Sequence, residues 1–225
     1  MITYTFTGRA EGDMRSHKHI IDHIHREISN LKMVVRPRQC HKDHIEVVEQ
    51  IKPGETMMSI ADTDGVITRQ KNVALTIITA DCVPAVFYDE SVGMIGASHQ
   101  GWRGLMAKLP QKMVAEMVRL GAKPESIHVS IGPAINACCY EVHQDRAVQF
   151  RTAFPNSEAI IENGDHYFLN LTRLTYEQLV ESGIPKQNIE LKISCTSCQT
   201  DKYYSFRRAT DKEYFEEQVS YIVQS

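Results

Sequence analysis

Apolar residues recur along the chain in two rhythms, and the change from one to the other marks out its elements. In SHKHIIDHIHREISNL (16–31), Ile20, Ile24, Ile28 and Leu31 fall on one face at helical spacing, with Ser16 placed to cap the start. QKMVAEMVRL (111–120) repeats the pattern through Met113, Met117 and Leu120, between Pro110 at its entry and Gly121 at its exit. LTRLTYEQLVES (171–182) predicts a third helix, stopped by Gly183 with Pro185 just beyond. Shorter apolar runs predict strands at 45–48, 73–79, 85–88, 92–97, 127–131, 167–169, 189–194 and 218–223. No repeat, low-complexity tract or Gly/Ser-rich linker interrupts them, so the pattern predicts one mixed α/β domain over residues 1–225.

The runs PAVFY and VGMIGAS flank a polar DES turn and predict an antiparallel hairpin. With the loop centred between Glu90 and Ser91, Asp89 faces Val92, and Cys82 faces His99 just past the strand ends. Directly opposed Cα atoms lie about 4.5–5.5 Å apart. That separation brings a thiolate and an imidazole within reach of one metal ion. Gly93 is the candidate bulge position in this register.

Charge and cysteine usage narrow the picture. The net charge of −3 and the lack of any Lys/Arg run exclude a phosphate-backbone track, so nucleic acid is not an expected partner. No stretch reaches the roughly 18 apolar residues of a membrane span, and MITYTFTGRAEGD lacks the basic-then-apolar order of a secretion signal. The expectation is a cytoplasmic protein, with monomer and homodimer both open. Six cysteines in such a chain read as thiols or metal ligands and not as a disulfide framework. The C-x-x-C at Cys195 and Cys198 lacks a second ligand pair at comparable spacing and reads as packed thiols.

Two ligands do not close a metal site, and the other histidines are the candidates for a third. His41, in RPRQCHKDHIEVV, leads them because it lies in a loop before a strand-like run. His19 and His23, four apart on a helix, are an alternative, but their face also bears Lys18, Asp22 and Arg26 and reads as solvated. His44, His128, His143 and His166 stand alone.

The residues reached are distinctive. TADC with Pro84, SHQGWRG, IGPAINACCYEV and RQCH, in order over residues 39–142, resemble the laccase-domain family, described both as polyphenol oxidases and as purine nucleoside phosphorylases. YYSFRR near the end is a fainter echo. The resemblance implies a mixed-sheet layered α/β sandwich related to cysteine hydrolase toxins. It implies a zinc ion held by His41, Cys82 and His99, and purine nucleosides and phosphate as substrates, with deamination of adenosine and phosphorolysis of methylthioadenosine as further activities. Lys42 replaces the family's glycine after the first histidine, and the chain continues DKEYFEEQ where the family has TGR.

Residues near these ligands are candidates for the other roles. Arg103 is the expected phosphate contact, and Asp81 orients a ligand or accepts a proton. Arg9, in FTGRAEG, matches an arginine of the family's active site. Gln39 is expected to bond a purine edge or a ligand, Cys139 and Tyr140 to line the pocket, and Trp102 to be a core aromatic. Two other classes stand beside the zinc phosphorylase. One is a copper-dependent phenol oxidase, although the His-x-His pairs His17/His19 and His23/His25 share one predicted helix. The other is a non-catalytic metal-binding member, or one acting on cell-wall precursors.

Overall fold

The computed structural model describes residues 1–52 and 54–225. In chain order the elements are β1 (Ile2–Phe6), α1 (His17–Glu27), β2 (Met33–Pro37), β3 (Ile45–Val48), β4 (Met57–Ile60), β5 (Gly65–Thr68), β6 (Val73–Thr79), β7 (Val83–Asp89) and β8 (Met94–Gln100). There follow α2 (Trp102–Met106), α3 (Leu109–Arg119), β9 (His128–Ile131), β10 (Glu141–Val142), α4 (Gln144–Ala153), β11 (Ile160–Asn163) and β12 (His166–Leu169). The chain ends with α5 (Leu171–Glu181), β13 (Ile189–Leu191) and β14 (Gln218–Gln224). Among the described residues no helix is long and apolar enough to cross a membrane.

Two mixed sheets carry the fold. One has the order β1-β14-β6-β2-β4, the other β13-β9-β7-β8-β5-β3, and β10-β12-β11 form a small third sheet. Side-chain alternation shows why the central strands read as continuous apolar runs. Val73, Leu75 and Ile77 of β6 pack toward the second sheet with Val86, Ile95 and Ala97, while Ala74 and Ile78 pack with Ile20 and Ile24 of α1. On the far side of the second sheet, Ala85 and Phe87 meet Met113, Met117 and Leu174 from α3 and α5. Both faces of both sheets are therefore covered, which gives a layered α/β/β/α sandwich. A fully buried side chain such as Phe87 contributes about 1.5–3 kcal/mol by leaving water.

The hairpin of β7 and β8 forms, but in a different register from the one expected. Pro84, not Cys82, faces His99, and Asp89 faces Met94 instead of Val92. The loop is therefore four residues long (90–93). Asp89 accepts hydrogen bonds from the Ser91 N–H at 2.9 Å and the Ser91 hydroxyl at 2.6 Å, and Gly93 closes the turn at φ +59°. The side-chain turn takes Ser91 and Val92 out of the strands, and only a residue free to adopt positive φ ends it without strain. The shift is an even number of residues, so every strand side chain keeps its face.

The crossings between the sheets place the chemistry. The chain passes from β6 to β7 through Ala80–Asp81–Cys82, with Asp81 at φ +97°, and from β2 to β3 through residues 38–44, with His41 at φ +59°. His99 stands near the end of β8, so three chain segments converge at one edge of the sandwich.

Candidate metal centre and cavity

His41, Cys82 and His99 present their donor atoms within 4.8 Å of one another. The two imidazole rings stand edge to face, with centroids 4.6 Å apart. Gly101, just past β8, forms the floor: a Cβ there would lie 3.0 Å from His41 Cδ2, 3.4 Å from Cys82 Sγ and 3.6 Å from His99 Cε1. A methyl group there would press on the His41 ring, which would have to shift by a few tenths of an ångström.

Asp64 organises the centre, and sequence reasoning missed it. It is fully buried one residue before β5 and accepts backbone N–H bonds from Cys40 (3.1 Å), His41 (3.0 Å) and Lys42 (2.8 Å). Its Oδ1 also pairs with His99 Nδ1 at 2.8 Å. One carboxylate thus shapes the His41 loop and fixes the His99 ring, leaving Nε2 as the nitrogen available to a metal. Burial alone would raise the Asp64 pKa, but the His99 ring and the Lys42 amide hold it well below the usual carboxylate range. The sequence signal was a single acid in TDGV, indistinguishable from a turn residue.

Burial likewise pushes the Cys82 thiol up, yet the charge of His99 and the contacts with both imidazoles prevail and bring it down to about 6. Burial pushes His99 down, and the Cys82 thiolate with Asp64 carries it up to about 9. The geometry therefore favours a thiolate beside an imidazolium, the prepared state of a sulfur ligand. Three convergent donors, one already drawn toward thiolate and one oriented by a buried carboxylate, fit a metal ion with an open position.

The centre opens into a cavity of about 650 Å³. Arg36, Arg38, Arg103, Arg146 and Arg207 line it, against the acids Asp81 and Glu217, so a chain of net charge −3 presents a locally cationic pocket. Arg103 and Arg146 both lie over the Trp102 ring, at 4.5 and 4.2 Å from its centroid. Trp102 lines the cavity half-buried and supports these guanidinium groups. Among the described residues Arg36 Nε and Thr79 Oγ1, both buried in residues of the wall, have no hydrogen-bond partner. Burial raises Glu217, with Asp13 adding to the effect and Arg36 and Arg15 opposing it.

The other expected site residues divide. Asp81 lines the cavity, but its Oδ1 accepts from the Thr196 hydroxyl at 2.6 Å and its Oδ2 from the Arg207 N–H at 2.7 Å. Its carboxylate thereby anchors the crossing that carries Cys82. Gln39 also lines the cavity, but its amide bonds the Ile78 carbonyl (2.6 Å) and N–H (3.0 Å) and bridges the β2–β3 crossing to β6. Two of the expected residues lie outside the large cavity. Arg9 lies over Tyr204 in a separate cavity of about 320 Å³, held by the Tyr203 carbonyl. Cys139 points to Cys198, with Sγ atoms 3.1 Å apart, and only its neighbour Tyr140 reaches the large cavity. His23 is buried against Tyr221 and not solvated, because α1 packs that side on the sheet. Arg36, Arg146 and Glu217 had no local motif to mark them, and Arg207 stands in the YYSFRR echo, to which no role was given.

Comparison with known proteins agrees with this architecture. The structure superposes on YfiH of Bacillus licheniformis with a TM-score of 0.82 at 27% identity, covering 100% of this chain and 93% of that one. It superposes on YlmD of Geobacillus stearothermophilus with a TM-score of 0.81 at 26% identity, covering 99% and 90%. In sequence it is 32% identical to the purine nucleoside phosphorylase YlmD of Bacillus subtilis over 192 residues, 82% of this chain and 69% of that protein. It is 30% identical to the adenosine deaminase RL5 of an unknown prokaryotic organism over 186 residues, 80% of this chain and 71% of that protein. Residues 8–223 match the model of the family described as multi-copper polyphenol oxidoreductase laccase, and the chain belongs to that laccase-domain family.

Proposed function

We propose that the chain is a zinc-dependent purine nucleoside phosphorylase, cleaving adenosine, inosine or guanosine with phosphate to the free base and ribose 1-phosphate. The observation that carries this reading is the opening of a three-donor His/Cys/His centre into an arginine-lined cavity of nucleoside size. Relatives named as purine nucleoside phosphorylases support it. Two imidazoles and one thiolate form a borderline-soft set that suits zinc.

When bound, the ion supplies Lewis-acid polarisation of a substrate oxygen or of the purine. The chain's own groups do the rest. Guanidinium groups of Arg103 and Arg146 bind phosphate through paired hydrogen bonds, while Arg207, tied to the Cys139 and Glu141 carbonyls, adds its charge at the cavity wall. Arg36 adds a further positive charge to the cavity wall. Phe206 and Phe215, an edge-to-face pair 5.0 Å apart at the cavity wall, offer the base an apolar surface. As a phosphate oxygen bonds to the ribose carbon, the glycosidic C–N bond breaks and its electron pair moves onto the purine nitrogen. Glu217, whose carboxyl burial pushes up from its ordinary value, lines the cavity and is the group that donates a proton to the departing purine.

Deamination of adenosine is a second reading for the same centre, supported by the relative named adenosine deaminase. Methylthioadenosine is a further substrate of the proposed phosphorolysis. A cytoplasmic location suits six free thiols. Liquid chromatography of products from a nucleoside panel, with and without phosphate, tests the reading. Base release that requires phosphate is expected, together with loss of about a hundredfold in rate for Glu217→Gln. Nucleosides left intact, with phenol oxidation by copper-loaded protein, would replace it with the oxidase.

A further inference from the structure

The C-x-x-C at Cys195 and Cys198 has a second ligand pair after all, supplied by the fold and not by the local sequence. The Sγ atoms of Cys138, Cys139, Cys195 and Cys198 lie within 4.8 Å of one another. Cys198 Sγ is 3.3 Å from that of Cys138 and 3.1 Å from that of Cys139. The backbone builds this convergence. A parallel bridge joins Ala134 to Cys195, and the Thr196 N–H bonds the Ala134 carbonyl at 3.1 Å. Each pair then sits in a turn, with Cys139 N–H bonded to the Asn136 carbonyl at 2.9 Å and Gln199 N–H to the Cys195 carbonyl at 3.0 Å. The Asn136 N–H points at Cys195 Sγ, 3.5 Å away.

Packing does not account for the cluster. Free cysteines gather in cores as small hydrophobes, and Cys195 is buried, but Cys138 and Cys198 are exposed. Thiols are weak hydrogen-bonding groups, so four of them gain little by facing one another in water. One thiophilic cation satisfies all four. A tetrahedral zinc site with Zn–S of about 2.3 Å holds its sulfurs roughly 3.8 Å apart, so the Cys198 contacts at 3.3 and 3.1 Å would open by about half an ångström or slightly more on loading. The N–H aimed at Cys195 stabilises a thiolate and not a thiol.

We propose that Cys138, Cys139, Cys195 and Cys198 form a second, structural metal site that binds one zinc ion as a closed tetrathiolate. Its place in the fold gives it a task. Thr196, inside the C-x-x-C, donates to Asp81, and Arg207 donates from its guanidinium to the Cys139 carbonyl (3.1 Å) and from its N–H to Asp81. The site thus fastens together three pieces of the cavity wall: the Cys82 crossing, Tyr140 beside Cys139, and Arg207. Four thiolates leave the ion no open position, so it takes no part in substrate chemistry.

Metal analysis of the full chain, expressed with zinc, tests this independently of any nucleoside activity. The His41→Ala/His99→Ala variant is expected to keep about one zinc per chain, and Cys138→Ser/Cys198→Ser to lose that ion alone. X-ray absorption at the zinc edge of wild-type protein supplies a measurement that needs no variant. More than two sulfurs per zinc on average are expected from the two sites together, against at most one if only the His/Cys/His centre is filled. Cobalt in the zinc-free double-His variant should give an intense sulfur-to-metal charge-transfer band. A sulfur count of one or fewer overturns the proposal, as does a double-His variant that retains no zinc with all six thiols free. A covalent disulfide within the cluster in freshly purified protein, seen as a mass lower by two hydrogens, overturns it as well.

Discussion

Two donor clusters in one molecule differ in almost every physical respect. His41, Cys82 and His99 lie where chain segments cross between the sheets, with His99 and the Asp64 that holds it fully enclosed. The four cysteines lie on surface turns joined by a single parallel bridge, two of them exposed. The first cluster mixes nitrogen and sulfur, has three donors and faces a cavity. The second is all sulfur and has four donors, none of them lining the large cavity. An incomplete donor set beside space is the arrangement of a reactive ion, whereas a complete set without space is that of a staple. The staple touches the site through Asp81 and Arg207, so the two clusters share one piece of backbone support.

The largest expected effect breaks the first cluster. His41→Ala/His99→Ala should lose the metal of that centre and, with several kcal/mol of transition-state stabilisation removed, turnover by about a thousandfold. Metal content and product formation, measured on the same sample, check this. If turnover falls while the metal total does not change, the two histidines act otherwise than as ligands.

Asp64→Asn should come next. The substitution leaves a buried amide where a carboxylate collected three backbone N–H groups and an imidazole. An expected loss of about 3–5 kcal/mol in stability follows from breaking a buried ion pair, with metal affinity down about 10–100-fold. Thermal unfolding and chelator competition read the two quantities. Unchanged metal affinity would show that His99 needs no carboxylate behind it.

How much of this was legible in the sequence follows from how local each feature is. Helical and strand periodicity placed α1, α3, α5 and the central strands, because both faces of each sheet are covered and the apolar runs are unambiguous. The hairpin was readable from PAVFY and VGMIGAS, but its register depends on Asp89 capturing Ser91, which no spacing reveals. The three donors were reached through the hairpin and the family resemblance, whereas Asp64 looks like any turn acid until the fold puts it behind His99. The second thiol pair stayed hidden because Cys138 and Cys198 lie sixty positions apart in sequence and meet only through the Ala134–Cys195 bridge. Arg9 and Cys139 show the opposite case: each sits near a recognisable motif, yet the backbone carries it outside the large cavity.

Arg103→Ala sharpens the contrast between cavity and staple with a smaller effect. Its guanidinium is exposed, rests on Trp102 and has no acidic partner among the described residues, so removing it costs the fold little. The Michaelis constant for phosphate should rise about tenfold or more, the loss of one charge-assisted contact of roughly 1.5–3 kcal/mol, with zinc unchanged. A phosphate dependence equal to wild type would make Arg103 a support for Trp102 and nothing more.

The smallest expected signal is one thiolate among six, and it separates the clusters without metal. In stripped protein Cys82 should ionise as pH rises through about 6, because the charge of His99 and its contacts with both imidazoles outweigh burial. Cys138 should ionise above the ordinary thiol range, pushed up by burial and by its thiol neighbours. The sign carries to stability. The Cys82 thiolate contributes most above the ordinary thiol pKa of 9.0 and its contribution is lost as pH falls through about 6. The His99 imidazolium contributes most below 6.5 and its contribution is lost as pH rises through about 9. The two are charged together only between those limits. Ultraviolet thiolate absorbance, taken as the difference between wild type and Cys82→Ser, should therefore step up near pH 6. In His99→Ala the step should move upward, since burial then acts with only His41 to oppose it. Overlapping curves for wild type and Cys82→Ser across this range would mean that the reactive cluster is no better prepared for a metal than the surface one.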